Sequence, residues 1–211
     1  MARRPPQHRG RTAMNWAILS DAQRTGLTIF WVDEGIDTGP ILLQKEVAIA
    51  PDDSVGTLYF NRLYPMGVEA LVEATRLVRE GEAPRIPQNH ALATYEAPCG
   101  PEHARVDFMR PARTVYNHIR GCDPAPGASA TLRGTSTRLF DCRLVEGHST
   151  AAPGTVVAIA DGAASVALIG AVFPTQDTTF NLERVVRRMI TIRGIHNYGP
   201  RHLTRAVEVL S

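Results

Sequence analysis

Over the first ninety residues the apolar positions fall into short blocks with different periods. Ala13 to Asp21 carries Met14, Trp16, Ala17, Ile18 and Leu19 ahead of a turn-prone stretch, Asp21 to Gly26, which predicts a short helix and its exit. Leu27 to Val32 is β-branched and aromatic. Pro40 to Ala50 opens apolar and then alternates through Gln44, Lys45, Glu46, Val47, Ala48 and Ile49. Both blocks predict strands, joined by the Gly-containing loop Asp33 to Gly39. After Pro51, the oxygens of Asp52, Asp53 and Ser54 are candidate caps for a long helix. In it Val55, Leu58, Tyr59, Leu63, Val68, Leu71, Val72, Thr75 and Val78 recur near helical spacing, and Gly81 should end it. Pro65 lacks the amide proton that a helical ladder needs, so a kink or division is expected there.

From Glu82 to Glu102 the chain is rich in Pro and short polar residues, which predicts an interdomain linker with a boundary near Ala91. A short amphipathic helix is expected after Pro111, carried by Val115, Tyr116 and Ile119 and closed by Gly121. Short strands follow at 128–133, 137–145, 154–160 and 163–172, separated by Gly, Ser and Pro turns, the spacing of a small barrel. Beyond them, 182–189 reads as helical, 190–198 as extended and 200–210 as helical.

Composition changes this picture little. A chain of 211 residues that is 44% hydrophobic and 21% charged has the make-up of a globular protein and room for one large domain or two small ones. A formal net charge of +2 names no partner by itself. No apolar run approaches a bilayer-crossing length and the Arg-rich start leads into no secretory core, so a cytoplasmic protein without a membrane partner is expected. Cys99, Cys122 and Cys142 lie far apart without C-x-x-C spacing, which points to reduced thiols and no metal site. His196 and His202 lack a carboxylate or thiol at ligand spacing and are expected to pack or face solvent.

The segment Thr28 to Gln44, TIFWVDEGIDTGPILLQ, holds the candidate chemistry. An Asp between glycines is by itself usually a turn residue. A loop carboxylate there can also orient a water or hold an imidazole protonated. HRGRTAMNWAI followed by TGLTIFWVDEGIDTGPILLQKEVAI resembles the second half of the formyltransferase domain shared by methionyl-tRNA formyltransferase, phosphoribosylglycinamide formyltransferase and the hydrolase domain of formyltetrahydrofolate dehydrogenase. The resemblance implies a Rossmann-like α/β fold, 10-formyltetrahydrofolate as co-substrate, and a catalytic set of an Asn-x-His pair with the Asp of the loop. Asp37 takes that last place, and Val32, Asp33, Glu34, Gly35 and Ile36 take the place of the loop that holds the pteridine. Solvation is the alternative for Asp33 and Glu34. Arg9 and Gly10 match the family's R-G element, with a surface arginine as the alternative for Arg9. Aligning Pro6 to Gly10 with the family's P-x-x-R-G puts the His near Met1 and the Asn beyond it, so the catalytic set and the first βαβ half are expected to be incomplete, and activity impaired. An incomplete sheet with an unpaired edge would favour an oligomer or a partner chain.

Residues 93–157, with ATYEAP and RPARTVYNHIRGCDPAPGA, resemble the C-terminal OB-like barrel domain of methionyl-tRNA formyltransferase. In that family the domain offers tRNA a basic surface, which Arg105, Arg110, Arg113, Arg120, Arg133, Arg138 and Arg143 could form here. Solvated arginines are the equal alternative. From about Ala164 the chain resembles the end of a zinc-type alcohol dehydrogenase, without G-x-G-x-x-G or a ligand set. The expected organisation is 1–90, the C-terminal half of a formyltransferase catalytic domain; 91–163, an OB-like domain; and 164–211, an α/β tail. The fold class is α/β, with a partial Rossmann-like domain followed by a small barrel. The alternative in function is a non-catalytic, vestigial or nucleic-acid-binding protein.

Overall fold

The computed structural model describes residues 9–146, 149–160, 163–168 and 176–181. The chain forms two compact units, Met1–Cys99 and Gly100–Ser211. Helix, 3₁₀ turns and small antiparallel sheets together make a mixed α/β protein.

In the first unit, α1 (Ala13–Leu19) leads into an antiparallel hairpin of β1 (Arg24–Phe30) and β2 (Ile41–Ala48). The register runs evenly from Arg24 opposite Ala48 to Ile29 opposite Leu43, then slips so that Phe30 faces Ile41. That irregularity turns the strand ends out of the ladder just before the connecting loop. Gly26 is required inside β1, because a Cβ there would collide with the Lys45 carbonyl across the ladder.

The helical stretch after Pro51 starts where expected, and Asp53 fixes it. Its Oδ2 accepts from Ala50 N at 2.7 Å, its Oδ1 from the Thr57 hydroxyl at 3.1 Å, and Arg62 lies 3.3 Å away, while Ser54 and Thr57 close a reciprocal cap. The single long helix expected here is three pieces: α2 (Val55–Leu58), a π turn (Tyr59–Leu63) and α3 (Tyr64–Glu80). Pro65 sits in the first turn of α3, just after the π turn, and that wider turn accommodates the N–H it lacks. Gly81 ends α3 at φ 75°.

Ile18, Ile49, Val55, Leu58 and Leu63 form the core beneath α1 and α2. On α3 the buried positions are Ala70 and Ala74, whereas Tyr64, Val68, Leu71, Val72 and Val78 are exposed. The helix therefore has two apolar stripes, and the one built of small residues is the one packed against the hairpin. Helical spacing alone does not say which of two apolar stripes is covered.

The Pro-rich stretch after Gly81 is an ordered strap over the first unit. Ile86 exchanges both backbone hydrogen bonds with Ile41, at 2.7 and 2.9 Å; Trp31 Nε1 donates to Pro84 O at 2.8 Å; and the Arg85 guanidinium lies 3.9 Å from the Trp31 ring centre. Further on, Arg9 N donates to Thr94 O, Glu96 N donates to Arg9 O, and Trp16 Nε1 donates to Ala97 O at 2.8 Å.

In the second unit, α4 (Ala112–Gly121) buries Val115, Tyr116 and Ile119. A β3–β4 hairpin (Ala128–Leu132, Thr135–Leu139) turns through Arg133 and Gly134, both at positive φ. A separate four-stranded antiparallel sheet has the order β5 (Leu144–Glu146), β8 (Gln176–Asn181), β7 (Ala163–Ala167), β6 (Val156–Ala160). The strand expected at 137–145 is divided between β4 and β5, with Asp141 at φ 50° between them and its N–H bonded to Asp123 Oδ2 at 2.8 Å. No closed barrel is found among the described residues. Cys99, Cys122 and Cys142 are free and buried, and desolvation pushes the Cys142 thiol far above its ordinary range. The elements expected at 182–189, 190–198 and 200–210, His196 and His202, and most of the dehydrogenase-like tail lie outside the described residues.

Asp53→Ala removes acceptors from one backbone N–H and one hydroxyl and leaves Arg62 without its carboxylate. A stability loss of about 1–3 kcal/mol is expected from urea unfolding, with Asp53→Asn losing less.

Candidate functional site

The loop from Trp31 to Pro40 has few ladder bonds, so its backbone has to be held by other groups. Trp31 N donates to Pro40 O at 2.8 Å, closing the neck. Gly39 packs so tightly beneath that neck that a Cβ would run into the Trp31 carbonyl oxygen. At the tip, Asp33 Oδ1 accepts the Thr38 hydroxyl at 2.6 Å and the Gly35 N–H at 3.1 Å. The Thr38 hydrogen bond is the main reason the Asp33 carboxyl lies below its ordinary value, against a small opposing desolvation.

Asp37 sits at φ 55°, in the left-handed region that Asp tolerates better than most residues. Its Oδ2 accepts the Gly10 N–H at 3.1 Å, and Oδ1 has no partner among the described residues. Its carbonyl and that of Gly39 are both held by one side chain: Gln88 Nε2 donates to Asp37 O at 3.0 Å and to Gly39 O at 2.7 Å. Gln88 is buried, and its Oε1 accepts from Arg9 Nη2 at 2.6 Å.

Arg9 is 5% exposed, so the surface reading fails for it. Its Nη1 donates to the Tyr95 hydroxyl at 2.6 Å and lies 3.4 Å from His90 Nδ1, while its Nε is buried without a hydrogen-bond partner among the described residues. Gly10, at φ 119°, follows with its N–H on Asp37.

The structure thus brings Asp37 together with Gly10 and Gln88. Val32, Asp33, Glu34, Gly35 and Ile36 are all exposed on the loop, with Val32 at 91% and Ile36 at 72%. Two apolar side chains held out by a braced loop, beside a carboxylate with one unpaired oxygen, suit a flat, partly apolar ligand carrying an exchangeable proton. Gln88, Thr38, His90 and Tyr95 were not found from sequence. Thr38 carried a local signal, five residues after the Asp it braces, but the others act across about fifty or more residues and left none.

Among the described residues no three His, Cys, Asp or Glu side chains gather as metal ligands, and no helix is long and apolar enough to cross a membrane. In the second unit Arg105, Arg110, Arg133, Arg138 and Arg143 are exposed. Arg120 is not part of such a face: it is 3% exposed, bonded through Nε to Asn117 Oδ1 at 2.9 Å and set over the Tyr116 ring.

Comparison with known proteins adds ancestry to this geometry. The Formyl transferase profile matches residues 5–75, and the Formyl transferase, C-terminal domain profile matches residues 99–172. Human cytosolic 10-formyltetrahydrofolate dehydrogenase is 47% identical over 123 residues, which is 58% of this chain and 14% of that protein. Methionyl-tRNA formyltransferase of Syntrophus aciditrophicus (strain SB) is 37% identical over 156 residues, covering 74% of this chain and 50% of the relative. The chain therefore spans half or less of the length of these relatives. Among solved structures, HypX from Aquifex aeolicus with tetrahydrofolic acid superposes at a TM-score of 0.67 and 24% identity, covering 82% of this chain and 30% of that one. An N-formyltransferase from Helicobacter canadensis with folinic acid and dTDP-3-aminofucose gives 0.64 at 18% identity, covering 82% and 61%. The two profiles fall on the two units seen in the structure, and on that evidence the chain belongs to the formyltransferase family.

Proposed function

We propose that the first unit supplies the folate-side loop of a formyltransferase site that moves a formyl group from 10-formyltetrahydrofolate to an amine. The observation that carries this reading is the state of Asp37: one carboxylate oxygen tied to Gly10 N, the carbonyl tied to Gln88, and Oδ1 left unpaired among the described residues. In the transfer, the amine nitrogen bonds to the formyl carbon, the carbonyl becomes an oxyanion, and the amine gives up a proton before the folate nitrogen leaves with one. Oδ1 of Asp37 would accept that proton through an ordered water. Val32 to Ile36 would lie against the folate ring, with Asp33 bracing the loop. Asp37 would be one member of a set completed by an Asn-x-His pair.

We read the second unit as the family's OB-like domain, and the organisation as 1–90, 91–163 and a dehydrogenase-like 164–211. Its exposed arginines, without Arg120, support a second reading as a tRNA-contacting surface. The three buried thiols, none of them in a disulfide, fit a reducing, cytoplasmic setting. The open apolar stripe on α3 and the outer edge of β1, unpaired among the described residues, support association with a partner chain.

Release of tetrahydrofolate from 10-formyltetrahydrofolate should be measurable, and about a hundredfold slower in Asp37→Asn. Equal rates in the two proteins would overturn the catalytic role of Asp37. Gln88→Leu orphans two loop carbonyls; faster hydrogen exchange across residues 31–40 is expected with β1 and β2 still protected, at a stability cost of about 1–3 kcal/mol. For tRNA, affinity of the full chain should fall steeply with rising salt, and a flat salt profile would sink the arginine surface.

A further inference from the structure

A cavity of about 280 Å³ in the second unit lies between α4 and the segment before it, lined by Arg105, Asp107, Arg110, Thr114, Val115 and His118. It is independent of the loop at Asp37 and of the formyl-transfer reading. Its charged walls are set on fixed backbone. Val106 N donates to Ser129 O at 2.8 Å and Ser129 N to Ala104 O at 2.7 Å, which pins the chain on both sides of Arg105 alongside β3. Arg110 is placed by a tight turn in which its N–H meets Asp107 O at 3.2 Å and Asp107 Oδ1 accepts from Met109 N at 2.9 Å. Thr114 and His118, one helical turn apart on α4, close the other side.

Among the described residues no carboxylate pairs with Arg105 or Arg110. The lining thus carries two arginines and one carboxylate, and one oxygen of that carboxylate is already engaged in the turn. His118 is part-buried, and its Nε2 is buried with no hydrogen-bond partner among the described residues. Burial holds the imidazole below its ordinary pKa, against the opposing pull of hydrogen bonds to the backbone carbonyls of Ala104 and His103, so the neutral ring is favoured until an incoming anion charges it.

From this arrangement we propose that the cavity binds the phosphate of a small hydroxylated phosphomonoester. Two guanidinium forks and a hydroxyl match the oxygens of a phosphate dianion, the group for which arginine's planar donors are best suited. The free Asp107 oxygen repels a bare anion but accepts from a hydroxyl on the rest of the molecule, which favours an ester over inorganic phosphate. The volume corresponds to roughly nine waters, near the lower limit of small-molecule sites. No Phe, Tyr or Trp side chain lines the cavity to form a stacking platform for successive nucleobases, which sets it apart from a single-stranded nucleic-acid groove.

The test follows the His118 imidazole by ¹⁵N-edited NMR on the full chain, titrated separately with glycerol 3-phosphate, inorganic phosphate and a dinucleotide phosphodiester. Glycerol 3-phosphate should give a saturable shift with the highest affinity of the three. Arg105→Gln and Arg110→Gln should each weaken it by about tenfold or more while the amide spectrum stays native. Thr114→Val, on the helix surface, gives a second variant with the same expected direction if either arginine change disturbs folding. The proposal is overturned by the absence of a saturable shift, by a shift unaltered in the variants, by inorganic phosphate binding as tightly as the ester, or by the dinucleotide competing equally, which would assign the cavity to a nucleic-acid backbone.

Discussion

The geometry of the candidate site depends on one buried primary amide. Gln88 has two N–H groups and one carbonyl oxygen to place, and all are used: both donors go to loop carbonyls, and the oxygen goes to a guanidinium. Only one orientation of the amide satisfies that set, since the flipped one would aim an oxygen at two carbonyls and hydrogens at a cation. Because it sits in a dry environment, each of these bonds is strong when made and expensive to lose. The left-handed turn at Asp37, unfavourable by about 1–3 kcal/mol on its own, is therefore held by a residue 51 positions away in sequence.

Arg9 is the less comfortable partner in that arrangement. Burying a guanidinium is costly, and here its described partners are Gln88, Tyr95 and His90, not a carboxylate. The Nε without a described partner adds to the cost. What this burial achieves is placement: Arg9 orients Gln88, its backbone pairs with the strap at Thr94 and Glu96, and the next residue gives its N–H to Asp37. Three segments far apart in sequence meet at one charged side chain.

Local chemistry was legible in the sequence, and long-range chemistry was not. The hairpin, the cap at Asp53 and Ser54 and the stop at Gly81 all follow from residues within a few positions of one another, whereas the GIDTGP loop was singled out by its resemblance to a family and not by its local chemistry. The Pro-rich stretch read as a linker because proline and short polar residues mark both flexible connections and extended straps; Ile86 pairing with Ile41 decides between them, and periodicity cannot reveal that contact. Arg9 and Arg120 both read as surface cations for the same reason: what buries them comes from elsewhere in the fold or, for Arg120, from aromatic and amide neighbours on its own helix that most exposed arginines also have nearby.

The two stripes of α3 carry the argument one step further. A helix that met only the hairpin would be expected to put its large apolar residues inward, but here Gly67, Ala70 and Ala74 face in that direction and Val68, Leu71 and Val72 face out. Small inward residues let helix and hairpin approach closely, and they also limit how much apolar area that contact can bury. Covering a fully exposed aliphatic side chain is worth about 1.5–3 kcal/mol, and Val68, Leu71 and Val72, each half or more exposed, forgo part of that. The loop at Asp37 is anchored to this same hairpin. The scaffold that holds Asp37 therefore rests on the close helix–hairpin approach that Gly67, Ala70 and Ala74 allow.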